Sequence, residues 1–273
     1  MFIVKLSGVP YFNITFNGEY SKLSENELID ILEQKLIKAV ERQLLSDVPI
    51  GFFLSGGLDS SLLLAIANKI KPNTSFDCFT IDTGSDMSKR EGFKNDIHYA
   101  KEVAELFDAR LHIVKAEVDI LSDFDKMIWH LDEPQADPAP LNVFNISKLA
   151  KEKGIKVLIG GTGADDLFSG YRRHQALKLE KYFRIIPKSL RKFLKLIFDS
   201  LPSNRYYVRR VKKIFNNIDL ISEDRLASYF SWLPEKVLKG LFVPSWLNDV
   251  KDYSQKRIFR DLTDEIPFES NSL

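Results

Sequence analysis

Leu54-Ser55-Gly56-Gly57-Leu58-Asp59-Ser60-Ser61 is the stretch on which the fold turns. It lies between an apolar run, Val48 to Leu54, and a segment of helical character from Ser60 to about Ile70, so it reads as the loop of a strand-loop-helix unit. Gly56 and Gly57 let the backbone turn sharply and approach a ligand closely, with several N–H groups turned inward as an anion nest. The helix that opens at Asp59 or Ser60 adds its positive end, and Ser55, Ser60 and Ser61 add hydroxyl donors. Asp59 would repel a phosphate in direct contact but suits a magnesium ion held at a phosphate site. The loop therefore reads as a site for nucleotide and metal. No Gly-Lys-Ser or Gly-Lys-Thr occurs, which excludes a Walker A loop.

The pattern extends outward in both directions. Upstream, Ser24 followed by Glu27 reads as a capping box, and Leu28, Leu32, Leu36, Val40 and Leu44 recur at helical spacing. Downstream, an apolar run at Phe76 to Ile81 precedes a helix near Asp96 to Phe107 and a strand near Arg110 to Val114. Helices near Ile120 to Leu131 and Leu141 to Glu152 then lead to a strand at Lys156 to Ile159. Strands alternating with helices predict an α/β fold: a parallel sheet with helices on both faces, followed by a helical C-terminal region. The expected division is a linker or tail over 1–23, an α/β core over 24–175 and a helical region over 176–273. In such sheets ligands bind beyond the strands' carboxyl ends, here Ser55, Asp82 and Gly160.

Composition bounds the rest. The chain has 273 residues, 44% of them hydrophobic, enough to bury a sizeable core and too apolar for disorder. Its one cysteine, Cys78, cannot form an intramolecular disulfide or a thiolate cluster, and a reducing cytosol is the expected compartment. Met1 to Val9 carries only short apolar stretches, so neither a secretory signal nor a membrane partner is expected. Net charge is +1, which argues against a surface built throughout for nucleic acid. Between Lys178 and Lys213, however, twelve Lys or Arg face two acids, Glu180 and Asp199. Phe183, Phe193, Leu194, Ile197 and Tyr206 interleave with them, a pattern expected of amphipathic helices with a buried apolar face rather than of an RNA reader with exposed aromatics.

Three ordered motifs carry a family resemblance. Leu54 to Ser61 resembles the PP-loop of the ATP pyrophosphatase superfamily. Together with Ser46-Asp47-Val48-Pro49-Ile50-Gly51, Asp132-Glu133-Pro134 with Asp137-Pro138, and Gly160-Gly161-Thr162-Gly163-Ala164-Asp165-Asp166-Leu167-Phe168-Ser169-Gly170-Tyr171, it is similar to the synthetase domain of glutamine-hydrolysing asparagine synthetase. The resemblance is close from about Ser24 to His174 and faint afterwards. It implies that Leu54 and Ile81 touch adenine, that Ser55, Gly56, Gly57, Asp59 and Ser60 hold the phosphates of ATP, and that Gly160 and Gly161 lie against the nucleotide. Asp59 and Asp165 would hold magnesium. The implied reaction activates the side-chain carboxylate of aspartate as an acyl-adenylate, releasing pyrophosphate, and ammonia then attacks.

Two departures qualify this. The family motif usually reads Gly-Glu-Gly-x-Asp-Glu, and its first Glu, assigned to forming and using the adenylate, is here Thr162, which cannot act as a carboxylate base. The second Glu is Asp166, and either it substitutes or this is a subfamily with different details. With Phe2 following Met1 where the family has a cysteine nucleophile, the expectation is of a synthetase part alone, without the family's glutaminase domain or its later catalytic lysine. Nitrogen is then expected from free ammonia or a separate glutaminase partner, and oligomeric state, a homodimer included, stays open. Other adenylating PP-loop enzymes, of tRNA-modifying or β-lactam-forming type, and an inactive ATP-binding fragment are the competing readings.

Lesser signals carry less. His98, His112, His130 and His174 show no metal spacing and suit surface or packing roles. Cys78 sits in a strand run as a small buried hydrophobe. Glu91 and Asp96 suit a helix start, whereas Glu133 and Asp137 fit a substrate-facing role and a rigid proline loop equally.

Overall fold

The computed structural model describes residues 21–82, 96–115, 120–131, 139–171, 174, 178, 182, 185–200, 218, 220, 222–231, 233, 235–249, 254 and 257. Glu91, Glu133, Asp137, Phe183 and Tyr206 lie outside them. The chain divides into two compact units, one over Leu23–Phe168 and the other including Ser169–Leu273.

The first unit opens with α1 (Glu25–Gln43), held at its start by the expected capping box. The Ser24 N–H donates to Glu27 Oε2 at 2.8 Å and the Glu27 N–H to Ser24 Oγ at 3.4 Å. Only the second half of its apolar stripe is covered: Val40 and Leu44 are buried, while Leu28 and Leu32 remain in solvent. Then follow β1 (Ile50–Phe53), α2 (Leu58–Ile70), β2 (Asp77–Asp82), α3 (Ile97–Leu106), β3 (Arg110–Lys115), α4 (Ile120–Leu131), α5 (Ala139–Glu152), β4 (Val157–Ile159) and the short α6 (Ala164–Leu167).

The strands form one parallel sheet in the order β3-β2-β1-β4. Period-two alternation sends successive side chains to opposite faces. Phe52, Leu54 and Cys78 pack against Val40, Leu64 and Ala100 from α1, α2 and α3. Phe79 faces the other way, with Ile146 and Ala150 of α5, and Phe53 and Ile81 pack beside it. Helices therefore cover both faces, as the alternating pattern predicts. β1 lies so close to its neighbours that a β-carbon on Gly51 would come 2.8 Å from the Asp77 carbonyl oxygen, which is why only glycine serves there.

The amino end of the sheet carries a polar clasp. Asp77 pairs with Arg110 across β2 and β3. Arg110 donates from Nε to Asp77 Oδ1 at 3.0 Å and from its NH2 group to Oδ2 at 2.7 Å, and His112 Nε2 lies 2.8 Å from Oδ1. His112 also stacks on Phe79, with ring centroids 4.8 Å apart. The Arg110 hydrogen bonds hold the Asp77 carboxyl below the usual range against the opposing effect of partial burial. Next to it, burial pushes the Cys78 thiol up to about 12, with the Asp77 charge adding to the effect.

In the second unit the described elements are α7 (Lys188–Ser200), α8 (Ser222–Phe230), α9 (Glu235–Gly240) and α10 (Pro244–Asp249). Arg225 is fully buried there, its guanidinium donating to the Ile218 and Leu220 carbonyls. The expected burial of apolar side chains in the basic segment holds only in part for α7: Phe193 and Ile197 are exposed, while Leu194 is half-buried. The periodicity identifies an apolar face correctly, but it carries no information on whether other residues cover that face.

Candidate functional site

The strand order creates one topological switch. From β1 the chain steps to β2 and β3 on one side, then crosses back through α4 and α5 to place β4 on the other side of β1. At such a reversal of strand order parallel α/β sheets bind ligands in the crevice beyond the carboxyl ends of the two adjacent strands, here β1 and β4. Leu54 to Gly57 leaves β1 there, and Gly160 to Gly163 leaves β4.

The first loop has a tight internal structure. Gly56 takes φ +81°, a left-handed conformation that glycine adopts without a side-chain clash. A β-carbon on it would come 2.6 Å from the Asp96 carbonyl oxygen and 2.7 Å from the Ala100 nitrogen, so the turn is seated directly on the first turn of α3. Gly57 caps α2 in extended conformation without a side-chain cap bond. The first N–H groups of the helix thus have no intrahelical acceptor and face the crevice with the positive end of the dipole. Ser61 closes the first α2 hydrogen bond, its N–H donating to the Gly57 carbonyl at 3.1 Å.

Hydroxyls brace the same turn. Ser60 is buried and donates to the Gly57 carbonyl at 3.2 Å, while Ser61 donates to that carbonyl at 2.8 Å. The Gly57 N–H donates to Ser55 Oγ at 3.2 Å, and Ser55 Oγ lies 3.1 Å from Ser60 Oγ. With the single Ser60 proton given to Gly57, Ser55 is the donor of that pair. Ser55 itself is exposed, so a ligand can take its proton in place of Ser60.

The second loop closes on the first. A β-carbon on Gly161 would lie 3.0 Å from both Asp59 Cβ and the Ser60 nitrogen, so the two loops touch backbone to backbone at the start of α2. Four residues further, Asp165 and Asp166 occupy the first turn of α6 after Gly163, which takes φ +104°. Asp59 and Asp165 are each half-buried, and among the described residues neither forms an ion pair. No cluster of three metal-ligating side chains occurs among the described residues. One or two carboxylates beside a phosphate site nevertheless fit magnesium, which keeps waters and takes its other ligands from substrate oxygens.

Of the sequence-derived residues, the printed geometry brings together Ser55 to Ser60 and Gly161, while two others need a qualification. The Leu54 side chain is fully buried in the core and its N–H donates to the Phe79 carbonyl at 2.9 Å, so what it can offer a ligand is its carbonyl. Ile81 lies at the end of β2, half-buried beside Phe79. Ser46 has a local role: its hydroxyl and the Val48 backbone bond reciprocally at 3.1 and 3.2 Å, shaping the entry to β1. Sequence reasoning missed the seat formed by Asp96, Tyr99 and Ala100 under Gly56. The only signal for it was a second adjacent glycine, which marks a close approach without naming the partner.

The family model for asparagine synthase matches residues 32–260 of the chain. The glutamine-hydrolysing asparagine synthetase 1 of Bacillus subtilis is 28% identical over 99% of this chain and 40% of its own length. A putative glutamine-hydrolysing asparagine synthetase of Mycobacterium bovis is 32% identical over 90% of this chain and 35% of its own length. The chain therefore spans about two fifths or less of these relatives. Among solved structures, the NH3-dependent NAD synthetase of Campylobacter jejuni is a distant likeness, with a TM-score of 0.34 and 14% identity over 76% of this chain and 97% of that one. On the extent of the family match, the chain belongs to the asparagine synthase family.

Proposed function

We propose that the chain carries the ATP-using chemistry of an amide-forming ligase. An oxygen of the aspartate side-chain carboxylate attacks the α-phosphorus of ATP and pyrophosphate leaves. Ammonia then attacks the acyl carbon of the adenylate, giving asparagine and AMP. The observation that carries this reading is the contact of Gly161 with Asp59 and Ser60, which closes the β4 loop on the start of α2 and makes one cradle of two loops. Family membership supports the same chemistry.

In this reading the α2 N–H groups with Ser55 and Ser60 hold the phosphates, and Gly56 and Gly57 admit them close to the backbone. The Leu54 carbonyl and Ile81 border the adenine, and Gly160 and Gly161 flank the nucleotide without a side chain in the way. Asp59 and Asp165 hold magnesium, which when bound offsets negative charge on the departing pyrophosphate. Asp166 is the carboxylate beside the reacting groups, where Thr162 supplies only a hydroxyl. Ammonia arrives free or from a separate glutaminase, and the working compartment is the reducing cytosol.

Release of pyrophosphate and AMP by the purified chain, with ATP, magnesium, ammonia and aspartate, is the test. Aspartate-dependent release is expected. Tight ATP binding without any aspartate-dependent release would favour the second reading, an ATP-binding part that is not itself active, which Thr162 and the partial coverage of the relatives support.

A further inference from the structure

α4 and α5 enclose a cavity of about 760 Å³ that lies outside the loops of the nucleotide crevice. At about 100° per residue, Val143, Phe144, Ser147, Lys148 and Lys151 fall on one flank of α5, beside the arc by which Ile146 and Ala150 meet Phe79. Met127, His130 and Leu131 of α4 line the cavity from the other side. Most of the wall is apolar, with Met127 buried, and its polar groups are unevenly placed. Lys148 and Lys151, three residues apart, stand side by side in the second half of α5, with the Ser147 hydroxyl next to them. The His130 ring lies instead against Phe144, with centroids 5.3 Å apart, one turn or more nearer the start of α5. No carboxylate lines the cavity among the described residues. Nor does either lysine form an ion pair among them, although Glu152 lies only four residues from Lys148.

We propose that this cavity binds a lipophilic monoanion, a small molecule with an alkyl or aryl body and one carboxylate. The body lies against Met127, Leu131, Val143 and Phe144, and the carboxylate sits between Lys148 and Lys151. Volume and charge together select this occupant. Cavities that take one small molecule run from about 300 to 1,000 Å³, and this one falls within that range, so it suits a single small ligand rather than a segment of another protein. An apolar wall gains nothing from a hydrophilic anion, and two ammonium groups gain nothing from a neutral hydrocarbon and repel a cation. The like charges of Lys148 and Lys151 also disfavour each other, and a carboxylate between them removes that repulsion while accepting charge-assisted hydrogen bonds. The proposal does not depend on the ligase reading, and its test does not use enzymatic activity.

The experiment is isothermal titration of the full chain with octanoate, octanol and octyltrimethylammonium, each below the concentration at which it forms micelles. Octanoate is expected to saturate one site and to bind at least tenfold more tightly than either of the others. Lys148→Glu with Lys151→Glu lowers octanoate affinity by tenfold or more and leaves octanol binding unchanged; both side chains are exposed, so the core is untouched. Val143→Trp, which fills part of the cavity, weakens octanoate and octanol alike and keeps the proposal testable should the charge-reversed variant fail to fold. Equal affinity for the three compounds, uptake without saturation, or an octanoate affinity indifferent to the charge reversal overturns it. So does binding of an acidic helical peptide, or concentration-dependent self-association, in the absence of octanoate binding.

Discussion

Replacing Gly56 with alanine, set against the same replacement at Gly154, separates the packing of the β1 loop from its backbone strain. The two glycines have nearly the same φ, +81° and +79°, so an alanine at either pays a similar left-handed penalty of about 1–2 kcal/mol. Their surroundings differ. Around Gly154 nothing lies within 4 Å of a β-carbon, whereas at Gly56 it would meet backbone atoms of α3 at 2.6 and 2.7 Å. Backbone of a helix's first turn cannot rotate away, and overpacking of this kind costs about 1–3 kcal/mol more. Gly56→Ala should therefore destabilise by about 2–5 kcal/mol in urea unfolding, and Gly154→Ala by only the strain. The loop must also shift relative to the α2 N–H groups. Losing one charge-assisted hydrogen bond of about 1.5–3 kcal/mol weakens binding of a fluorescent ATP analogue by about 10- to 100-fold. Gly154→Ala should leave that affinity unchanged. Equal destabilisation of the two variants to within about 0.5 kcal/mol would refute the packing argument. Unchanged nucleotide affinity in Gly56→Ala would refute the placement of the cradle.

Three further outcomes are expected. Asp59→Asn and Asp165→Asn should each raise the magnesium concentration needed for pyrophosphate release by at least about tenfold, read from a metal titration at fixed ATP; an unchanged requirement removes that carboxylate from the metal site. Asp77→Asn should cost about 1–3 kcal/mol at pH 7 by breaking the clasp with Arg110. Because the folded-state pKa of Asp77 is depressed, this stabilisation is present above the unfolded pKa of about 3.9 and is lost as pH falls through the folded value. The gap between wild type and variant should accordingly narrow as the pH falls below the unfolded value, and a gap that does not change with pH contradicts the assignment. Cys78, buried and with its thiol pushed up to about 12, should not react with an aromatic disulfide at pH 8 until the chain is unfolded.

How far the sequence discloses these features depends on whether the feature is local. The capping box at Ser24 and Glu27 and the glycine turn before α2 are statements about neighbours in the chain, and they reappear nearly residue for residue. The strand and helix order is likewise local, and it implies a parallel sheet through the handedness and length of the crossovers. The clasp of Asp77, Arg110 and His112 is different, because it exists only in one register of β2 against β3 that no single-strand pattern specifies. The contact of Gly161 with Asp59 depends in the same way on β4 pairing with β1. The partly exposed apolar face of α7 shows a further limit: amphipathic spacing defines two faces, and how far each of them meets other residues is settled by the rest of the chain.

The placement of β4 beside β1 also governs when in synthesis the crevice can exist. β1 finds β2 after a short crossover, and β3 follows, so three strands assemble from nearby segments. The fourth pairing joins Ile50–Phe53 to a strand about 100 residues further along, and the entropic cost of closing that loop precedes any gain from the pairing. A nascent chain emerging from its amino end can form the β1 loop and its seat on α3 while Gly161 is still unmade. The crevice thus cannot close until β4 has been made, and a growing chain can pair three strands before it can grip a nucleotide.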